Sequence, residues 1–238
     1  MSGYGKKRME NRLFRNQVVG WLIGMVIVVL AFSVAGHAWA DDFSDGATFF
    51  RNGQYEQAFD AYMRMAAVGH AGAQNNVGNM YAEGLGVKRD EKKALIWFRK
   101  SADQDFVLAQ RNMGRMFHDG RGTKRNEAAA LVWFKKAGAQ GDPLSQFMVG
   151  RLTAAGDGVK RDYTQARYWF TQAADRGNVD AMYSMGMLCE VGLGKPQDIA
   201  EALMWYEKAA ARKHKQAVVR IDALRAGGEA AAIRAIKE

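Results

Sequence analysis

The sequence predicts an all-α solenoid built from a repeated helix pair, and three observations carry that prediction. The segment "YAEGLGVKRDEKKALIWF" from Tyr81 returns as "FHDGRGTKRNEAAALVWF" from Phe117, "TAAGDGVKRDYTQARYWF" from Thr153 and "CEVGLGKPQDIAEALMWY" from Cys189, a period of 36 residues. Within one period two runs carry apolar residues at helical spacing, Ala73, Val77, Met80 and Tyr81 in the first and Ala94, Phe98 and Ala102 in the second. The chain of 238 residues is 48% hydrophobic and 25% charged, the balance of a folded protein and not of a disordered one. A unit this short cannot bury its apolar face alone and must stack on its neighbours.

The elements follow in order. Residues 1–40 read as a signal peptide: Lys6, Lys7, Arg8, Arg12 and Arg15 precede an apolar run from Val18 to Gly36, and "AWA" at Ala38 to Ala40 precedes Asp41. The alternative is an uncleaved inner-membrane anchor, since the run is just long enough to span a bilayer. In either case the basic residues stay inside and the remainder is exported to the periplasm. Residues 41–70 form an N-terminal capping half, in which Ala58, Tyr62, Ala66 and Gly69 match the second helix of a unit after a short turn at Asn52 and Gly53.

Four units follow at 71–106, 107–142, 143–178 and 179–214. In the first, helix A runs from about Gly72 to Glu83, Gly84 supplies the left-handed conformation that ends it, and Gly86 allows a second bend. Asp90 opens helix B as its N-cap, and Asn126, Asp162 and Asp198 repeat it. Gly78, Gly114, Gly150 and Gly186 share one phase on helix A and are expected at a close helix contact, while Trp97, Trp133, Trp169 and Trp205 share one on helix B. Residues 215–238 cap the stack: Ala217, Ile221 and Leu224 repeat the helix A core, Asp222 replaces the glycine, and a short separate helix is expected after Gly227 and Gly228.

The pattern Ala-x4-Gly-x2-Tyr-x2-Gly-x-Gly-Val-x2-Asp-x3-Ala-x2-Trp-Phe, clearest from Ala73 to Phe98 and traceable over 71–214, resembles the Sel-one-like repeats, relatives of the tetratricopeptide repeats. That resemblance implies a right-handed α-solenoid of antiparallel helix pairs that serves as a protein-binding scaffold. Some relatives close each repeat with a cysteine pair and are linked to β-lactam binding or hydrolysis; this chain has the single Cys189 and forms no internal disulfide.

Function follows from what packing leaves over. The whole chain carries 34 basic and 25 acidic residues, and removing a leader with five basic residues and Glu10 leaves 29 against 24, too weak a surplus to indicate nucleic acid. His70, His118 and His214 show no metal-ligand spacing, and no nucleophile motif is visible, so no catalytic residue, cofactor or metal is predicted. Four copies of Gly-x-Gly at one phase read as helix joints and not as phosphate cradles. The pairs Lys88/Arg89, Lys124/Arg125 and Lys160/Arg161 form a basic ridge on the loop edge.

In solenoids of this kind helix A lines the concave face. The candidate partner-binding residues there are Asn75 and Asn79, then Arg111, Arg115 and His118, then Phe147 and Arg151, then Tyr183 and Met187. Amides can clamp a peptide backbone, arginines pair with carboxylates, and the large side chains offer apolar anchors. The expectation is an exported scaffold that binds a protein or peptide, with the membrane involved only through an uncleaved N-terminus. A structural adaptor for an envelope machine or exopolysaccharide apparatus is the second reading, and a cell-wall or β-lactam hydrolase the competing class.

Overall fold

The computed structural model describes the backbone of residues 42–237 and the side chains as far as residue 227; the expected leader and the cleavage site read for it lie outside the described residues. Every regular element among them is helical. A helix over 42–51 (α1) precedes α2 (Tyr55–Ala67), and the four units supply α3 (Ala71–Glu83) and α4 (Glu91–Ala102), α5 (Val107–Asp119) and α6 (Glu127–Ala139), α7 (Pro143–Ala155) and α8 (Tyr163–Asp175), and α9 (Val179–Val191) and α10 (Ile199–Ala210). The last helix, α11, spans Lys215–Lys237. Each helix packs on the one before and the one after it, so the core is a continuous ribbon and not a central mass.

Within a pair the two helices meet where a glycine faces an aromatic ring. A Cβ on Gly78 would lie 2.7 Å from Phe98, on Gly114 2.5 Å from Phe134, on Gly150 2.6 Å from Phe170 and on Gly186 2.5 Å from Tyr206. No side chain larger than hydrogen fits at such separations, which is why this phase stays glycine in all four units. The same device appears at the N-terminus, where a Cβ on Gly46 would lie 2.7 Å from Tyr62. The N-terminal cap is therefore a complete helix pair, α1 on α2, with a shortened connection in place of the Gly-x-Gly loop.

The loops do two jobs. Gly84 takes φ +72° and its N–H donates to the Met80 carbonyl at 2.8 Å, closing α3. Five residues then lead to Asp90, whose side chain accepts from the Lys93 N–H at 3.0 Å and caps α4; Asn126, Asp162 and Asp198 cap α6, α8 and α10 in the same way. His70 and His214 prove to be caps as well, their Nδ1 atoms accepting from the Ala73 and Ala217 N–H groups.

The second glycine of the loop joins one repeat to the previous one. A Cβ on Gly122 would lie 2.3 Å from the Glu91 carbonyl oxygen, so the loop of one unit rests directly on the first turn of helix B in the unit before. Beside it Arg121 donates to Glu91 Oε1 at 2.8 Å and to the Ala82 carbonyl at 2.9 Å, and the Gly122 N–H reaches Glu91 Oε2 at 3.2 Å. With Arg89 also donating at 2.6 Å, the Arg89 and Arg121 guanidinium groups hold the Glu91 carboxyl from the usual 4.5 down to about 2.

A buried glutamine ladder supplies the second joint. Gln74, Gln110 and Gln146 donate to the carbonyls of Ala66, Ala102 and Gly138, in the last turn of the preceding helix, at 3.2, 3.4 and 2.9 Å. Gln104 and Gln140 then donate to the free oxygens of Gln74 and Gln110 at 2.7 and 2.9 Å. Arg176 stands where the third of these donors would be, and Gln146 Oε1 is left without a protein partner.

One expectation is corrected. A single helix continues through Gly227 and Gly228 instead of breaking there. A glycine inside a helix costs only about 1 kcal/mol relative to alanine, too little to end a helix already docked on α10 through the buried Ala217 and Ile221.

Two outcomes follow. Gly114→Leu should destabilise the protein by about 3 kcal/mol through overpacking against Phe134, lowering the melting temperature followed by circular dichroism; an unchanged melting temperature would remove Gly114 from the helix contact. Glu91, with its folded value depressed, contributes stability that is fully present above 4.5 and is lost as pH falls through about 2. The stability difference between wild type and Glu91→Gln should therefore be constant at neutral pH and shrink across that acid window, measured by urea unfolding at a series of pH values.

Candidate functional site

Between α5 and α7 opens a cleft of about 470 Å³. Positions 111, 115 and 118 lie at i, i+4 and i+7 of α5, and positions 144, 147, 148 and 151 lie along one stripe of α7, so helical spacing alone turns them toward each other across the gap. Arg111, Arg115 and Arg151 give the cleft its positive charge, Leu144, Phe147 and Met148 its apolar wall, and His118 and Asp119 complete the polar lining. The floor is Phe134, the ring held under Gly114.

The cations differ in how they are held. Arg111 Nη1 donates to Asp142 Oδ1 at 3.0 Å, and Asp142 is the buried N-cap of α7, so this arginine fixes one helix A against the next. Arg151 Nη2 donates to His118 Nε2 at 2.9 Å, which puts the imidazole proton on Nδ1, where it reaches Glu127 Oε2 at 2.7 Å. Burial alone would raise the Glu127 carboxyl, but the hydrogen bonds from His118 and Arg125 more than reverse this and hold it below the usual range. Arg115 is exposed and makes no ion pair among the described residues. It is the cation free to pair with an incoming carboxylate, with the spare N–H groups of Arg151 opposite.

Arg111, Arg115, His118, Phe147 and Arg151 are thus brought together, and the other candidates are not. Asn75 is 3% exposed, and its Oδ1 accepts from Asn112 Nδ2 at 3.0 Å, with Asn79 Oδ1 at 3.3 Å from the same amide. The expectation that Asn75 presents an amide to a partner is corrected: it is an internal rung between two units. Asn79 edges a smaller recess that shares Arg115 and Asp119 with the main cleft. Tyr183 stacks on His214 at 4.5 Å, and Met187 stands exposed on α9, both outside the cleft. Leu144 was absent from the sequence-based set. Its signal was present, because a leucine just after an Asp-Pro helix start is an apolar side chain that no core phase explains.

Elsewhere the chemistry is quiet. Cys189 is buried, with Arg167 Nη1 3.3 Å from its sulfur, and burial pushes the thiol up despite that cation. Among the described residues no three His, Cys, Asp or Glu side chains form a group that could hold a metal ion. Two arginines of the basic ridge are neutralised locally, Arg89 by Glu91 at 2.6 Å and Arg125 by Glu127 at 2.7 Å.

Comparison with known proteins places this geometry. A Sel1 repeat protein from Oxalobacter formigenes is 34% identical, with a TM-score of 0.70 over 75% of this chain and 73% of that one. A putative Sel1 repeat protein from Klebsiella pneumoniae, 16% identical, shares the fold with a TM-score of 0.50 over 79% and 93% of the two chains. The exopolysaccharide production negative regulator of Rhizobium leguminosarum bv. viciae is 31% identical over 104 residues, which span 40% of this chain and 39% of that relative's length. The Sel1 repeat model matches residues 71–106, 107–142, 143–178 and 179–214, and Sel1 repeat proteins generally bind protein partners. With four consecutive matches and an all-helical solenoid of the same spacing, the chain belongs to the Sel1 repeat family.

Proposed function

We propose that this protein is an exported scaffold that holds a protein or peptide in the groove between α5 and α7. The observation that carries the reading is the pairing of an unpartnered cation, Arg115, with an apolar wall of Leu144, Phe147 and Met148 in one cleft of about 470 Å³. A segment with a carboxylate next to a large apolar side chain would use both walls, the first for orientation and the second for most of the affinity. The groove is also pre-organised. Arg111 is tied to Asp142, and His118 is tied to both Glu127 and Arg151, so little side-chain ordering is left to oppose binding.

Export rests on the order of basic, apolar and small residues before Asp41. A second reading, a regulator or adaptor of an exopolysaccharide apparatus, is favoured by the likeness to the Rhizobium leguminosarum bv. viciae protein. It is compatible with the first, since such a role would also act through a bound partner.

The mature protein is expected to begin at Asp41 and to be recovered from the periplasm, which an intact mass of envelope-purified material checks; a species retaining Val18 to Gly36 in the membrane fraction would indicate the anchor instead. For the groove, a partner obtained by pull-down from envelope extract would be titrated by calorimetry against two double variants. Arg115→Ala/Phe147→Ala should weaken binding by about 2 kcal/mol or more, whereas Lys124→Ala/Arg125→Ala should alter mainly the salt dependence. The opposite pattern, in two folded variants, would move the site to the loop ridge.

A further inference from the structure

The third repeat departs from the first two in its loop and from all the others at its tryptophan, and the two departures meet at one place. In the first and second repeats the loop arginine is answered by a carboxylate two residues later, Arg89 by Glu91 and Arg125 by Glu127. In the third, that position is Tyr163, and Arg161 donates its Nε and Nη2 to the neutral Ala155 carbonyl at 3.2 and 3.1 Å. Its charge is retained and its counter-charge is gone. The tryptophans show a parallel exception. Lys100, Lys136 and Lys208 cover the rings of Trp97, Trp133 and Trp205 at 4.2, 4.4 and 4.2 Å, but Gln172 stands at that place beside Trp169, and no cation covers its ring among the described residues.

Arg161, Tyr163 and Trp169 all line a cleft of about 620 Å³ that shares no lining residue with the α5–α7 groove. Lys135 of α6 and Lys160 of the loop add two exposed cations. The one carboxylate in the lining is Asp162, which already accepts the Gln165 N–H as the N-cap of α8. Thr164 and Gln165 add a hydroxyl and an amide on the first turn of that helix, and Gly194 of the next loop lines the cleft where it rests on Tyr163 and Thr164.

We propose that this cleft binds an acidic saccharide, a sugar ring carrying a carboxylate. Lys160 and Arg161 pair with the carboxylate, with Lys135 extending the positive wall. Tyr163 and Trp169 offer apolar ring surface to the carbon-bound hydrogens of the sugar, and Thr164, Gln165 and Asp162 exchange hydrogen bonds with its hydroxyl groups. A phosphate would use the cations alone, and an acidic peptide would bring no row of hydroxyls to the polar side chains. A uronate ring engages all three kinds of lining. Loss of the carboxylate leaves available an arginine that the first two repeats keep paired, and loss of the lysine cover leaves available a ring that the other three repeats keep covered.

The test is calorimetric titration of the purified protein with hexagalacturonate, using maltohexaose as a neutral sugar and hexaglutamate as an acidic peptide. Binding is expected for hexagalacturonate alone, with a change in tryptophan fluorescence that Trp169→Phe removes. Tyr163→Glu restores the carboxylate that the first two repeats carry, and should reduce affinity by about tenfold or more by neutralising Arg161. Lys160→Ala/Arg161→Ala, at two exposed positions, should do the same without changing the circular dichroism, and Arg115→Ala/Phe147→Ala should leave the affinity unchanged. The proposal is overturned if hexagalacturonate does not bind, if hexaglutamate binds as tightly, or if the sugar's affinity is indifferent to both Tyr163→Glu and Lys160→Ala/Arg161→Ala.

Discussion

At Gly114 the backbone of α5 runs so close to the Phe134 ring that an added Cβ would come within 2.5 Å of it, and the same contact recurs at Gly78, Gly150 and Gly186. The ring takes the volume that a side chain on helix A would otherwise fill, and the small Ala94, Ala130, Ala166 and Ala202 beside the ring let the helices close on it. The groove inherits its shape from that contact. Phe134 is both the ring beneath Gly114 and the floor of the α5–α7 cleft, so a change in helix separation would move the floor relative to Arg115 and Phe147.

Stacking then converts one helix pair into a surface. The loop glycine of one unit sits on the first turn of the previous helix B, as Gly122 does on Glu91, and the glutamine ladder stitches α2 to α3, α4 to α5 and α6 to α7. These joints are local, linking each unit only to its neighbours. Positions outside the joints are free to differ, and the differences carry the chemistry. Phe147 and Leu144 give the gap between α5 and α7 its apolar wall, while Asn75, Asn79 and Asn112 turn the gap between α3 and α5 into an amide cluster.

Much of this was legible in the sequence because repetition separates structural from variable positions. The glycine phases, the Asp and Asn caps and the boundaries of helix A and helix B follow from elementary rules of helix ends and close packing. What stayed hidden were contacts that depend on the separation between units. Asn75 has the composition of a binding residue, and only its 3.0 Å distance to Asn112, 37 positions later, shows it to be internal. Arg111 lines the groove, but its anchoring to Asp142 could not be read from spacing, since both residue types are common on exposed surfaces. The glutamines at 74, 110 and 146 did recur at the repeat period, and a buried ladder could have been suspected from that recurrence alone.

The contact on which the rest depends can be isolated by a double-mutant cycle at Gly150 and Phe170, whose separation with an added Cβ would be 2.6 Å. On helix propensity alone Gly150→Ala would stabilise the protein by about 1 kcal/mol. The account predicts that it destabilises wild type, and that in a Phe170→Leu background the same change becomes neutral or stabilising, a coupling of about 1 kcal/mol or more by urea unfolding. Additive effects, or a Gly150→Ala that stabilises wild type, would contradict the claim that glycine opposite the ring sets the spacing of the helices.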